Sequence, residues 1–224
     1  MKLLLKNATL LDEKSPFHNQ TKDVLIEKGI VTQLEDHIEN KGAKVINLKN
    51  LHISSGWFDP NVSFGEPGYE ERETLKNGLQ TAAKSGFTNI VLNPNTKPLT
   101  ETHSDVSHLL QSNKNQLTAL HISSVLTEEG KGNQMAPLLD LHKAGAVVFG
   151  DYKTSYNNPN LLRIALDYSQ SFGGLIQAYP MDKALSNNGQ MHEGIISTNL
   201  GLKGIPQVAE TTTLARDLQL LDYT

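Results

Sequence analysis

Apolar and polar residues alternate in short runs through residues 2–53, and the spacing then lengthens. KLLLKNATLL (2–11) predicts a strand interrupted at Lys6-Asn7. DVLIEKGIVTQLE (23–35) holds two alternating runs around Lys28-Gly29, a pair suited to the tight turn of a hairpin. AKVINLKNLHIS (43–54) adds two more short strands. No helical spacing occurs in this region, so it reads as a small β-module.

From Ser54 the pattern becomes strand, helix, strand. SGWFDPNV is an apolar run that ends in a loop. EERETLKNGLQTAAKSG (70–86) predicts a helix with acidic residues in its first turn and Gly86 just past its end. FTNIVLNPN (87–95) is a buried strand, THSDVSHLLQSNK a short helix and QLTALHISS a strand. NQMAPLLDLHKAG (133–145) predicts a helix closed by Gly145, and AVVFGDY a strand. NPNLLRIALDYSQSFG is a helix, GGLIQAYP a strand, and IPQVAETTTLARDLQLLDYT a helix reaching Thr224. Such alternation means parallel strands with crossover helices. Five units are too few for a closed eight-stranded barrel, and no turn residue follows the last helix. The expectation is a truncated chain, roughly the first half of a longer barrel. A complete open α/β domain is the alternative reading.

Composition narrows the function classes. The 224 residues are 38% hydrophobic and 20% charged, enough for a packed core. A net charge of −4 supplies no basic field for nucleic acid. The absence of cysteine excludes disulfides, thiolate metal sites and a cysteine nucleophile. Lys6 follows Leu3–Leu5 too soon for a signal core or a membrane span. A cytoplasmic protein without nucleic-acid or membrane partners is expected.

In parallel α/β folds chemistry gathers at the carboxyl ends of strands. The sequence places Asp59, Asn61, Ser63 and Glu66 after the first barrel strand, and Asn93, Asn95, Thr96 and Lys97 after the second. His121, Ser123 and Ser124 follow the third, Asp151, Tyr152 and Lys153 the fourth, and Tyr179 and Asp182 the fifth. A metal needs three converging His, Asp or Glu side chains. The eight histidines form no HxH and no HExxH, and His121 is expected to be a strand-end hydrogen bonder. There is no GxSxG, no phosphate-binding loop and no GxGxxG after a strand. EEGKGNQ (128–134) reads as a surface loop.

Three separated stretches carry a resemblance. GWFDPNVSFGEPGYEERETLKNGLQTAAKSGFTNIVLNPNTKP (56–98), AGAVVFGD (144–151) and MHEGIISTNLGLKGIPQVAETTTLARDLQLLDYT (191–224) resemble, in order, motifs of the long bacterial dihydroorotases of the amidohydrolase superfamily. The resemblance implies a TIM-type (β/α) metallo-dependent hydrolase barrel, here its first five βα units over residues 54–224. Residues 1–53 become part of a small composite, β-sandwich-like domain. It also implies the family reaction, reversible cyclisation of N-carbamoyl-L-aspartate to L-dihydroorotate in pyrimidine biosynthesis, with zinc generating a hydroxide.

This chain departs from that pattern at the chemical positions. Asn61 and Ser63 occupy the family's two HxH metal ligands, and Gly65 replaces the arginine that clamps the substrate carboxylate. AYPMD (178–182) puts Tyr179 at a further ligand histidine. Asp151 survives as a possible residual ligand beside Tyr152, and Asn95, which the family uses on substrate, is retained. The remaining ligand histidine and the catalytic aspartate are expected beyond Thr224. Turn and packing markers survive: Gly56, Asp59, Pro67, Gly68 and the 94–98 and 200–206 loops. The expectation is a degenerate dihydroorotase that uses no metal cofactor. It would act as a scaffold for aspartate carbamoyltransferase and as a homo-oligomer. The alternatives are an active cyclic amidohydrolase with a non-standard metal site, and a small-ligand binder using the old cleft through Asn61, Asn95 and Tyr179.

Overall fold

The computed structural model describes residues 2–224. Contacts divide the chain between Gly56 and Trp57 into a β-unit and an α/β unit. In the β-unit, β1 (Lys2–Leu11) pairs antiparallel with β2 (Thr21–Glu27), and β2 with β3 (Ile30–Glu35). The predicted hairpin turn is in place, with Lys28 at φ 51° and Gly29 at φ 83°. Two successive left-handed residues match the twist of the strands they join. The predicted interruption at Lys6-Asn7 is a bulge: the β1–β2 register shifts between Leu5 and Ala8, and Asn7 sits at φ 53°. Short β4 (Lys44–Ile46) and β5 (His52–Ser54) pair parallel with successive parts of β1. The described residues thus form one five-stranded mixed sheet, where a sandwich would have two facing sheets. Leu4, Leu25, Ile38 and Ala43 make its small core.

The α/β unit is built on five parallel strands in sequential order: β6 (Trp57–Val62), β7 (Phe87–Leu92), β8 (Ala119–Ser124), β9 (Ala146–Phe149) and β10 (Leu175–Ile176). Helices α1 (Leu75–Lys84), α2 (His103–Ser112), α3 (Leu138–Ala144) and α4 (Pro159–Gln170) lie between successive strands in the chain, and α7 (Val208–Tyr223) closes the sequence. This is a parallel half-barrel sheet. Its core joins Leu92, Ile122 and Phe149 of the sheet to Val106, Leu109, Leu138, Leu141 and Leu162 of the helices.

Three predicted helices start later than expected; the last begins at Val208, because Ile205 belongs to a short strand. The acidic run 70–73 lies before α1, not in its first turn. Thr74 is the N-cap, accepting from Asn77 N–H, and the Glu66 carboxylate reaches back to accept Leu75 N–H at 2.7 Å. Helix α3 does not include residues 133–137. Met135 bridges to Thr127, Ala136 N–H donates to Leu126, and Pro137 sets the start. Gly145 does close it, at φ 113°. Between β10 and α7 four small elements escaped prediction: α5 (Lys183–Ser186), β11 (Met191–His192), α6 (Ile195–Leu200) and β12 (Gly204–Ile205). No helix among the described residues is long and apolar enough to cross a membrane.

Candidate functional site

The carboxyl end of the parallel sheet gathers most of the predicted side chains. A cleft of about 190 Å³ opens there, lined by Asn61, Asn93, Asp151, Tyr152, Lys153 and Tyr179, together with Gly150, Gln177 and Ala178. Ser63 and Asn95 are not part of that lining. They pair with each other, Asn95 Nδ2 donating to Ser63 Oγ at 2.7 Å. Alongside, Asn93 Nδ2 donates to Asn61 Oδ1 at 2.5 Å. The Asp59 carboxylate is held by the turn itself, accepting Asn61 N–H at 3.0 Å.

Gly65 carries a steric message. A Cβ built there would lie 2.3 Å from the backbone oxygen of Tyr69, and Tyr69 N–H donates to Gly65 O at 2.9 Å. The 65–69 turn is closed over the place where a longer side chain would begin. Gly68, at φ +95°, lets the turn approach the 94–98 loop, since a Cβ there would meet Lys97 O at 2.3 Å. Lys97 N–H completes the contact by donating to Pro67 O at 2.9 Å.

Asp151, at the end of β9, faces a different task. It is 4% exposed, and its Oδ1 accepts from Leu126 N–H at 2.9 Å and Thr127 N–H at 3.1 Å. Its Oδ2 accepts from the Thr127 hydroxyl. Burial pushes the carboxyl above its ordinary value, opposed by the Thr127 hydroxyl and the two backbone donors. Tyr156 completes the buried network, its hydroxyl accepting Asp151 N–H at 3.0 Å. Burial first, and the Asp151 charge second, push that phenol well above its ordinary value. Both groups hold the loops after β8 and β9 in place.

At the fifth strand end, Asp182 caps α5 through Ala184 and Leu185 N–H and is not part of that cleft's lining. Tyr179 is 38% exposed at the rim, and the Lys153 ammonium sits 5.1 Å from the Tyr152 ring centroid. His121 Nε2 lies 3.0 Å from Asn89 Oδ1, a cross-strand hydrogen bond. Among the described residues no three His, Cys, Asp or Glu side chains converge to hold a metal ion. Zinc takes imidazole, thiolate or carboxylate donors. An engaged amide, an engaged hydroxyl, a phenol and a carboxylate committed to two loops do not fit that ion.

What sequence reasoning missed here is pairing, not residue identity. Asn93 was placed at the strand end, but its bond to Asn61 depends on the β6–β7 register. Gln177 had no signal beyond its position at the end of an apolar run.

A family model described as Dihydro-orotase-like matches residues 52–223. The chain belongs to the dihydroorotase family. Among curated dihydroorotases it is 36% identical over its whole length to that of Pelotomaculum thermopropionicum, covering 52% of that protein. It is 34% identical to that of Ruminiclostridium cellulolyticum, again covering 52%. The chain therefore spans about half the length of the curated relatives it matches. Solved structures extend the likeness of fold. The L-hydantoinase (dihydropyrimidinase) of Arthrobacter aurescens superposes with a TM-score of 0.73 at 17% identity, over 99% of this chain and 50% of that one. The crystal structure of a dihydroorotase superposes with a TM-score of 0.56 at 11% identity, over 98% of this chain and 62% of that one.

Proposed function

We propose that this chain is a dihydroorotase-family protein that has given up metal-dependent hydrolysis and serves de novo pyrimidine biosynthesis as a scaffold. The observation that carries the reading is the engagement of Asn61 and Ser63, at the family's first two ligand positions, by Asn93 and Asn95. The closed turn at Gly65, where the family holds its substrate arginine, supports it. The parallel half-barrel is read as the first five βα units of an eight-stranded barrel, and the β-unit as part of a composite domain. The proposed partner is aspartate carbamoyltransferase, with self-association of the chain as a second contact.

The test is direct. The purified chain is expected to hold well under one zinc per chain by elemental analysis and to show no turnover of dihydroorotate or carbamoyl aspartate. It is expected to co-elute with the transcarbamoylase at micromolar concentration. About one zinc per chain, with turnover that dies on chelation, overturns the reading.

A second reading, an active dihydroorotase or other cyclic amidohydrolase with a non-standard metal site, is favoured by one observation. Relatives at 31–36% identity over the whole chain are named dihydroorotase. The same zinc and turnover measurements decide between the two.

A further inference from the structure

The β6–β7 ladder of the parallel sheet is interrupted near the end of β6. Among the described residues, β6 pairs only with β7. Their register breaks between Asp59 and Val62: Asp59 faces Ile90 and Val62 faces Leu92, so three steps on one strand meet two on the other. Such a bulge leaves the extra residue unpaired. Pro60 has no N–H to give, and Asn61 N–H is taken by the Asp59 carboxylate. The backbone N–H groups of residues 60–61 are therefore not given to β7.

Side chains supply a tie. Asn93 is 2% exposed, and among the described residues its only side-chain partner is Asn61 Oδ1 at 2.5 Å, while its backbone N–H donates to Val62 O at 2.8 Å. Two residues on, Asn95 Nδ2 reaches Ser63 Oγ at 2.7 Å. Both bonds cross from the strand end of β7 to that of β6, at the positions where the family resemblance places metal ligands. Behind them, the 65–69 turn has closed on Gly65.

We propose that these two bonds form a clasp that ties the strand end carrying the family's first two ligand positions to the end of its neighbour β7, with Asn93 and Asn95 as its positioning residues. The proposal rests on the family reading and deepens it. The side chains at positions 61 and 63 are engaged by their neighbours on the β7 side. An imidazole at position 61 would displace the amide that Asn93 bonds and leave a buried Nδ2 without a partner, which is costly. An arginine at position 65 would meet the Tyr69 carbonyl unless the turn opened. Restoring the ligand residue types is therefore insufficient to restore a metal site.

Hydrogen exchange across residues 57–64 of the 224-residue chain tests the clasp. Asn93→Ala and Asn95→Ala are each expected to speed exchange there roughly tenfold while leaving β8 and β9 unchanged. In a double-mutant cycle, Asn61→Ala is expected to add almost nothing to Asn93→Ala. Unchanged exchange in the single variants, or full additivity in the cycle, overturns the clasp. If Asn93→Ala fails to fold, the half-buried loop residue Asn95 still carries the test. Asn61→His/Ser63→His, titrated with zinc alone in equilibrium dialysis, is expected to bind no stoichiometric zinc and to exchange faster over 57–64. Zinc binding one to one with protection restored overturns the proposal. Zinc and turnover in the unmodified chain sink the non-catalytic reading instead, so the two failures are separable.

Discussion

Asp23 in the β-unit and Asp151 in the α/β unit are the two buried charged side chains among the described residues, 2% and 4% exposed. Each joins a strand to a segment distant in sequence. Asp23, on β2, accepts from Asn7 N–H at the β1 bulge at 3.0 Å and from Ile38 N–H at 2.9 Å. Asp151 accepts from Leu126 and Thr127 N–H. The difference lies in the remaining oxygen contact. Asp23 has a cation, Lys6 Nζ at 2.5 Å, whereas Asp151 has only the neutral Thr127 hydroxyl. Burial pushes both carboxyls up. At Asp23, the Lys6 hydrogen bond, the two backbone donors and the Lys6 charge outweigh it, and the net is below the ordinary value. At Asp151 nothing carries a compensating charge, and the net is above. The comparison bears on function. The family-like aspartate of the α/β unit is accounted for by loop anchoring, as Asp23 is in a unit with no candidate site. The geometry accounts for this buried carboxylate as a loop anchor without assigning it a ligand role.

The largest expected effect breaks the anchoring at Asp151. Asp151→Ala leaves two backbone N–H groups and the Thr127 O–H without an acceptor in the core and is expected to cost about 3–4 kcal/mol in urea denaturation. Asp151→Asn keeps an oxygen for the two N–H groups and should cost about half as much. If Asp151→Ala is neutral, anchoring is not why this residue is here, and a chemical role returns to consideration. Asp23→Ala is expected to cost less, about 2–3 kcal/mol, because Lys6 keeps a 20% exposed side chain that can turn to water. Its signature is local: faster exchange at the amides of Asn7 and Ile38.

The hairpin at Lys28-Gly29 was legible in sequence because a two-residue turn needs particular residues at particular positions. The sequential strand–helix order of the α/β unit was legible because period carries it. Helix α1 was misplaced because an acidic run looks like a first turn, while the actual start depends on Glu66 folding back to Leu75. The elements between Lys183 and Ile205 are two to six residues long, too short for any period to register. At the site, the family resemblance picked out positions 61, 63, 65 and 151, but not what holds them. Asn93 meets Asn61 only because the β6 register slips by one. Asp151 turns toward Leu126 and Thr127 only because the loop after β8 returns beneath it.

The smallest effect sharpens the comparison most, since it converts one aspartate into the other's type. Lys6→Met removes the cation and leaves Asp23 with its two backbone donors and its burial. In the unmodified chain the folded-state value of Asp23 lies below its ordinary 3.8. Its contribution is therefore fully present above that value and is lost as pH falls through the lower folded one. Without Lys6, burial is the largest influence left, and the folded value is expected to rise above the ordinary one. The sign then reverses: stability contributed at this site is greatest below the ordinary value and declines as pH rises toward the folded one, as expected for Asp151. His37 Nδ1 lies 3.9 Å from the same carboxylate. Near neutral pH the net loss is expected to be about 1 kcal/mol, since methionine keeps the packing of the lysine stem. Exchange at Asn7 and Ile38, followed over about pH 2–7, reads the slope at this site alone. A slope that keeps its sign in Lys6→Met would show that the two backbone donors suffice to hold a buried carboxylate charged. Asp151, which has the same two kinds of donor and a hydroxyl besides, would then have to be raised by something other than the absence of a cation.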